Sequence, residues 1–227
     1  MEKVDFDKYA EEYDKVLKED LEFFGEENNY FAEYKVKIVK NETKSLPARI
    51  LEYGCGIGRN IEYFTKMFPQ SKITGCDISQ KSLELSKKRN PTADFFLISD
   101  VEVNKHQERF DIIFISCVLH HIEPRLRNEV MGNIAKMLNS GGELYIFEHN
   151  PLNPVTRKIV RECIWDEDAI LLYPKESLNL VRDAGLELII KKYSLFFPSQ
   201  LKALRGLEKF INFLPVGGQY YIIAKKR

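Results

Sequence analysis

Three glycines on alternate positions, Gly54, Gly56 and Gly58, follow the apolar pair Ile50-Leu51 and the acid Glu52, and lead into Arg59 and Asn60. An apolar approach that breaks into such a run reads as a buried strand ending in a turn whose backbone a ligand can touch, because glycine lacks a Cβ and tolerates positive φ. A helix starting there would present unpaired backbone N–H groups. That geometry suits a nucleotide-like ligand. A dinucleotide fingerprint needs a further glycine at the position of Arg59, where a helix packs closely on a strand beneath a pyrophosphate; the pattern here is instead G-x-G-x-G. About twenty residues on, the segment from Ser71 to Ile78 reads as a second strand carrying Asp77 at its tip, where a ribose-binding acid belongs. Three histidines, His120, His121 and His149, follow two later apolar runs, and an imidazole with an unperturbed pKa of ~6.5 can take up a proton near neutral pH.

The elements that must hold these residues follow from periodicity. Charged and aromatic residues alternate at helical spacing from Asp5 to about Lys40, with Phe6, Tyr9, Tyr13 and Leu17 near one face, which predicts N-terminal helices ahead of the first strand. Strands are predicted over Arg49 to Tyr53, Ser71 to Ile78, Ala93 to Ile98, Phe110 to Ser116 and Glu143 to Glu148. Helices are predicted over Arg59 to Phe68, from Ser79 (an N-cap) to Lys88, and from Pro124 to Leu138, the last ended by Asn139, Ser140 and Gly141-Gly142. Phe110 to Ser116 is a continuous apolar, β-branched run, as a central parallel strand covered on both faces requires. Strands alternating with helices imply right-handed crossovers and an α/β fold with an open parallel sheet. By the open-sheet rule, ligands sit outside the carboxyl ends of the strands, which gathers Gly54, Asp77, Ser99-Asp100 and Ser116-Cys117 about one crevice.

Beyond the fifth strand, Asn150 to Pro174 holds three prolines, Trp165 and the acids Asp166, Glu167 and Asp168, with a short helix from Val155 to Ile164. A connection of that length suits a lid or binding loop. Lys175 to Ala184 reads as a helix closed by Gly185, Leu186 to Phe197 and Gln219 to Lys225 as strands, and Ser199 to Phe213 as a helix between them.

The stretches LEYGCGIGRN from Leu51, GCDIS from Gly75, ISD ending at Asp100, FDIIFISCVLHHI from Phe110 and LNSGGELYIFEHNP from Leu138 together resemble the class I S-adenosylmethionine-dependent methyltransferases. The resemblance implies a Rossmann-like, doubly wound, mostly parallel sheet of seven strands with an antiparallel C-terminal edge pair. It assigns Gly54, Gly56, Gly58 and the motif residue Asn60 to close approach of the cofactor, Asp77 to its ribose hydroxyls, Ile78 to its adenine, and Asp100 with Val101 to the adenine amino group. Glu52, a costly charge inside an apolar strand, is given the cofactor's amino group as partner; a salt bridge to a helix is the alternative. A turn aspartate at Asp77 and a helix N-cap at Asp100 are the structural alternatives for those two. Tyr13, with Tyr9, resembles N-terminal aromatics that close over the cofactor, and packing of an amphipathic helix would equally explain both. Ser116 and Cys117 would line the same crevice, and His120, His121 and His149 are the candidates for acceptor-side catalysis, with His120 first as proton acceptor.

A length of 227 residues fits one domain, divided as a helical cap (1–48), a cofactor-binding core (49–149), a lid or substrate loop (150–174) and C-terminal helices and strands (175–227). Hydrophobic residues at 44% and charged residues at 30% are ordinary for a globular protein, and lysine plus arginine balance aspartate plus glutamate at 34 each. That balance removes the electrostatic footprint of a general nucleic-acid binder; Lys191, Lys192, Lys202, Arg205 and Lys209 are read as a solvated face. The four cysteines lack a CxxC pairing, so neither zinc nor a redox dithiol is expected, and no metal is assigned. A charged N-terminus without an apolar core region and the absence of a long apolar run suggest a cytoplasmic monomer or homodimer without membrane contact. The expected function is methyl transfer from S-adenosylmethionine to an O or N atom of a small metabolite or sugar-like acceptor. A non-catalytic cofactor-binding subunit is the alternative, with an NAD(P)-dependent oxidoreductase disfavoured by Arg59.

Overall fold

The computed structural model describes residues 7, 30–197 and 199–227. Tyr9 and Tyr13 therefore lie outside the described residues. Seven strands, β1 (Arg49–Tyr53), β2 (Lys72–Asp77), β3 (Asp94–Leu97), β4 (Phe110–Ser116), β5 (Leu138–His149), β6 (Leu186–Ser194) and β7 (Gln219–Lys226), form one sheet in the order β3-β2-β1-β4-β5-β7-β6, six running one way and β7 against them. This is the expected Rossmann-like arrangement with its antiparallel C-terminal edge. The chain divides into two compact units, one spanning Asp5–Phe114 and the other containing Ile115–Arg227.

In the first unit a helix over residues 30–42 (α1) precedes β1 (Arg49–Tyr53), α2 (Arg59–Met67), β2 (Lys72–Asp77), α3 (Gln80–Arg89), β3 (Asp94–Leu97) and α4 (Asp100–Lys105). β1 pairs in parallel with β2, setting Tyr53 opposite Cys76, and β2 in parallel with β3. Every residue of β1 after Arg49 is buried, so the strand supplies core on both faces and delivers Glu52 into an apolar surround. The Asp111 carboxylate accepts from the backbone N–H groups of Ala48 at 2.8 Å and Arg49 at 2.9 Å, which anchors where β1 begins. Ile61 and Phe64 carry the buried stripe of α2; the Phe64 ring meets Phe114 edge-on at 5.1 Å and Phe68 at 6.0 Å.

β4 (Phe110–Ser116) ends in the second unit, which continues with α5 (Arg127–Met137), β5 (Leu138–His149), α6 (Pro154–Glu162), α7 (Pro174–Asp183), β6 (Leu186–Ser194), α8 (Glu208–Ile211) and β7 (Gln219–Lys226). β7 lies between β5 and β6, antiparallel to both, with a bulge in β6 between Leu188 and Ile190. Asn150, fully buried, closes this unit's loops by donating from Nδ2 to the carbonyls of Pro215 and Gly217.

Several boundaries differ from the sequence expectation. α5 ends at Met137 because Leu138 is already extended, so Asn139 to Gly142 belong to β5 rather than to a helix cap. α4 is an additional six-residue helix. The expected helix from Ser199 to Phe213 is a 3₁₀ segment, Ser199–Leu207, kinked at Leu201, followed by the single turn of α8. β6 stops at Ser194, where Leu195 turns into the left-handed region with φ 60°. Among the described residues, no helix is long and apolar enough to cross a membrane.

The Phe64 ring is fully buried, so Phe64→Ala is expected to destabilise the chain by about 3–5 kcal/mol. Urea unfolding of the two proteins at one pH measures the difference, and a loss below about 1 kcal/mol would show that this ring does not anchor α2.

Candidate functional site

The turn after β1 is held from two directions. Gly54 and Cys55 donate their N–H groups to the Cys76 carbonyl at 2.8 and 2.9 Å. Gly56 donates to Asp77 Oδ2 at 2.7 Å, and Ser79 donates to Asp77 Oδ1 at 2.9 Å. One carboxylate therefore fastens the glycine turn to the start of α3, whose N-cap is Ser79. Gly58 sits at φ 76°, where a Cβ would collide with Ser86 Oγ and Asn90 Nδ2. Gly56, at φ 51°, faces open space, since a Cβ there would meet nothing within 4 Å. The turn is thus packed on one side and accessible on the other, as a ligand cradle needs.

Asp77 is 8% exposed, and burial raises its pKa against the opposing pull of its hydrogen bonds from Ser79 and Gly56. Both carboxylate oxygens already serve the fold and keep a further lone pair each, so the turn-aspartate role leaves acceptor capacity for a ligand hydroxyl. Glu52 is 2% exposed; its Oε1 accepts from Asn60 Nδ2 at 2.6 Å, while Oε2 is buried without a hydrogen-bond partner. Burial pushes its pKa up to about 8, opposed by the Asn60 bond and by Lys35. One oxygen of this buried acid is thus left for a further donor or cation.

Ile78 and Val101 are 66% and 62% exposed, apolar surface that a flat ring system could cover. Asp100 is exposed and is the first residue of α4. The N-cap of that helix is Ser99, whose Oγ accepts from Glu102 N–H at 3.3 Å, so Asp100 is left for another role. Sequence reasoning missed Asp7, whose carboxylate accepts from Ser79 Oγ at 2.6 Å and from Lys81 N–H at 3.3 Å.

In the second unit, β4 ends at Ser116, and Cys117 takes the left-handed conformation (φ 56°) while its N–H bonds the Phe147 carbonyl at 2.8 Å. A 3₁₀ turn, Leu119–His121, follows. The fully buried Glu148 accepts from Val118 and Leu119 N–H through Oε1 and meets His120 Nδ1 through Oε2 at 2.6 Å. His121 Nδ1 contacts Asp168 Oδ1 at 2.9 Å. Both Nε2 atoms approach Asp166 Oδ1, at 3.3 Å from His120 and 3.4 Å from His121. His149 is half-buried, its ring centroid 5.1 Å from that of His120.

For His120, burial opposes the charge but the adjacent Glu148 and Asp166 carboxylates outweigh it, raising the pKa to about 10. For His121, burial and the neighbouring His120 lower it. An imidazole that is 1% exposed and already protonated at neutral pH is badly placed to accept a proton from an acceptor. Glu148, Asp166 and Asp168 are the partners that sequence reasoning did not attach to these histidines; the acidic run 166–168 was the available signal. Arg127 steadies the same region from a fully buried position, bonding the Ile122 and Ile170 carbonyls and Glu176.

A family model described as a methyltransferase domain matches residues 51–144. The malonyl-[acyl-carrier protein] O-methyltransferase 1 of Ilyobacter polytropus is 27% identical over 168 residues, 73% of this chain and 60% of that protein. The tRNA N(3)-methylcytidine methyltransferase Mettl2 of Drosophila melanogaster is 28% identical over 217 residues, 84% of this chain and 65% of that protein. The chain thus spans less than two thirds of the length of either relative. The crystal structure of a SAM-dependent methyltransferase from Archaeoglobus fulgidus superposes with a TM-score of 0.64 at 17% identity, covering 91% of this chain and all of that one.

The Glu52 geometry makes a pH prediction. Its carboxyl holds a proton up to about pH 8 when folded but only to about 4.5 when exposed on unfolding. The stability that this proton contributes is complete below about pH 4.5 and is lost as pH rises through about 8. Glu52→Gln removes that dependence, so between pH 5 and pH 8.5 the wild-type chain should lose stability relative to the variant by on the order of a few kcal/mol. Urea unfolding at the two pH values checks it, and a pH-independent gap between the two proteins would contradict a buried neutral acid.

Proposed function

We propose that the chain is a class I S-adenosylmethionine-dependent methyltransferase, a reading supported by the methyltransferase-domain match over residues 51–144, and that it transfers a methyl group from S-adenosylmethionine to an oxygen or nitrogen atom of a small metabolite or sugar-like acceptor. The observation that carries this reading is the unserved, buried Oε2 of Glu52 in the strand that ends at the Gly54–Gly58 turn. The cofactor supplies a methyl group already activated on a sulfonium, so the protein's task is chiefly alignment and exclusion of water.

In this reading Glu52, steadied by Asn60, takes the cofactor's ammonium, and Asp77 accepts the ribose hydroxyls while holding Gly56 in place. Gly54, Gly56 and Gly58 allow the backbone to come close. Ile78 and Val101 cover the adenine, and Asp100 accepts from its amino group. Ser116 and Cys117 contribute the end of β4. On the acceptor side, the half-buried His149 takes the proton-accepting role, while His120 and His121, each tied to a carboxylate, position it. The balance of 34 basic and 34 acidic residues supports a small acceptor over a nucleic acid.

Asp77→Asn is expected to weaken S-adenosylmethionine binding about tenfold or more, the consequence of losing a charged hydrogen-bond acceptor worth ~1.5–3 kcal/mol. Calorimetry on a folded variant with unchanged affinity would remove Asp77 from the site. His149→Ala should lower turnover by ~10²–10⁴-fold with cofactor affinity nearly intact. Transfer of labelled methyl from the cofactor to a panel of small hydroxyl and amine acceptors, run beside bulk tRNA, tests the substrate class. Label entering only tRNA would overturn the small-acceptor reading.

A further inference from the structure

The cluster formed by the 3₁₀ turn Leu119–His121 and the loop after α6 has the form of a metal centre. One donor atom from each of His120, His121 and Asp166 lies within 4.8 Å of the other two. The two Nε2 atoms stand 3.3 and 3.4 Å from the same Asp166 Oδ1. A tetrahedral zinc ion with bonds of about 2.0–2.1 Å holds its ligand atoms about 3.3–3.4 Å apart, so the two separations to Asp166 match those of a zinc site. His120 Nε2, moreover, is buried and meets Asp166 at 3.3 Å without a hydrogen bond of good geometry to any partner.

The second ring nitrogens are arranged to match. Nδ1 of His120 faces Glu148 at 2.6 Å and Nδ1 of His121 faces Asp168 at 2.9 Å. A carboxylate on Nδ1 fixes a proton there, so a metal that displaces the proton from Nε2 meets that atom's lone pair, the pattern in which ligating histidines are held. Three carboxylates around two imidazoles in a largely buried space also leave an excess of negative charge that a divalent cation would offset. The scaffold is stiff on both sides: Glu148 Oε1 pins the backbone of Val118 and Leu119, and the Ile170 N–H donates to the His120 carbonyl at 2.8 Å.

We propose that His120, His121 and Asp166 bind a zinc-type divalent cation, with Glu148 and Asp168 orienting the two imidazoles. Three protein ligands leave one coordination position for water or for an oxygen or nitrogen of a bound molecule. The ion would also fasten the segment carrying Asp166 and Asp168 to the turn after β4. The site stands on its own geometry, and its test reads metal binding rather than methyl transfer, so either reading can fail without the other.

The test is a calorimetric titration of the full-length, chelator-stripped chain with Zn²⁺, with thermal unfolding followed in parallel. The expected result is one equivalent bound with a rise in Tm. Asp166→Asn should abolish that equivalent or weaken it by at least 100-fold, Asp168→Asn should weaken it by ~10–100-fold, and His106→Gln, which alters a histidine outside the cluster, should leave it unchanged. Absence of a bound equivalent, or an equivalent that survives both aspartate substitutions in folded protein, would overturn the proposal. Should the aspartate variants not fold, Co²⁺ titration of the unaltered chain decides. The intense visible absorption of four-coordinate cobalt supports the site, and its absence overturns it.

Discussion

A single buried carboxylate organises the first unit. Asp77 accepts from Gly56 on one side and Ser79 on the other, so the turn that leaves β1 and the helix that follows β2 share one anion. Leaving those two N–H groups without an acceptor would cost about 1–3 kcal/mol apiece. Ser79 extends the connection, capping Ser82 N–H in α3 and donating its hydroxyl to Asp7. The acid whose chemistry suits a ribose diol is therefore also the one that keeps the glycine turn in its left-handed conformations. On the proposed reading, cofactor binding and local folding rest on the same two oxygens.

Glu52 and the histidine cluster are two further places where charge is buried at a cost that packing alone does not justify. Glu52 keeps one oxygen unserved and is pushed towards its neutral form. Around His120 and His121 the carboxylates of Glu148, Asp166 and Asp168 converge instead, one oxygen of each set toward a ring nitrogen. An apolar residue at any of these positions would satisfy the core more cheaply. On the proposals above a cation completes each arrangement, an ammonium in the first case and a metal ion in the second.

What could be read from the chain before its structure was mostly local. Gly54 to Gly58 and Asp77 were legible because a turn and a strand tip declare themselves through spacing within some twenty residues; the open parallel sheet followed from the alternation of elements, and its seven strands with an antiparallel edge from the family resemblance. The pairing of His120 and His121 with Asp166 and Asp168 was not, because 46 residues separate His120 from Asp166 and 47 separate His121 from Asp168, and nothing in either stretch names the other. The glycine pair Gly141-Gly142 misled in the opposite direction: it reads as a helix stop, yet Leu138 had already ended α5, and the glycines continue β5. The six residues of α4 carry too little periodicity to stand out. His120 illustrates a different limit, since its position after β4 was legible, whereas its burial and its ring of carboxylates, which decide its protonation, were not.

The account turns on the glycine turn and Asp77 forming a site for an adenosyl sulfonium cofactor and not for a dinucleotide, whose pyrophosphate needs a glycine where Arg59 stands. Calorimetric titration of the unaltered chain with S-adenosylhomocysteine and, separately, with NAD⁺ addresses this most directly. One equivalent of S-adenosylhomocysteine bound, with no saturable heat from NAD⁺, is the predicted result. Saturable binding of NAD⁺ with none of S-adenosylhomocysteine would contradict it.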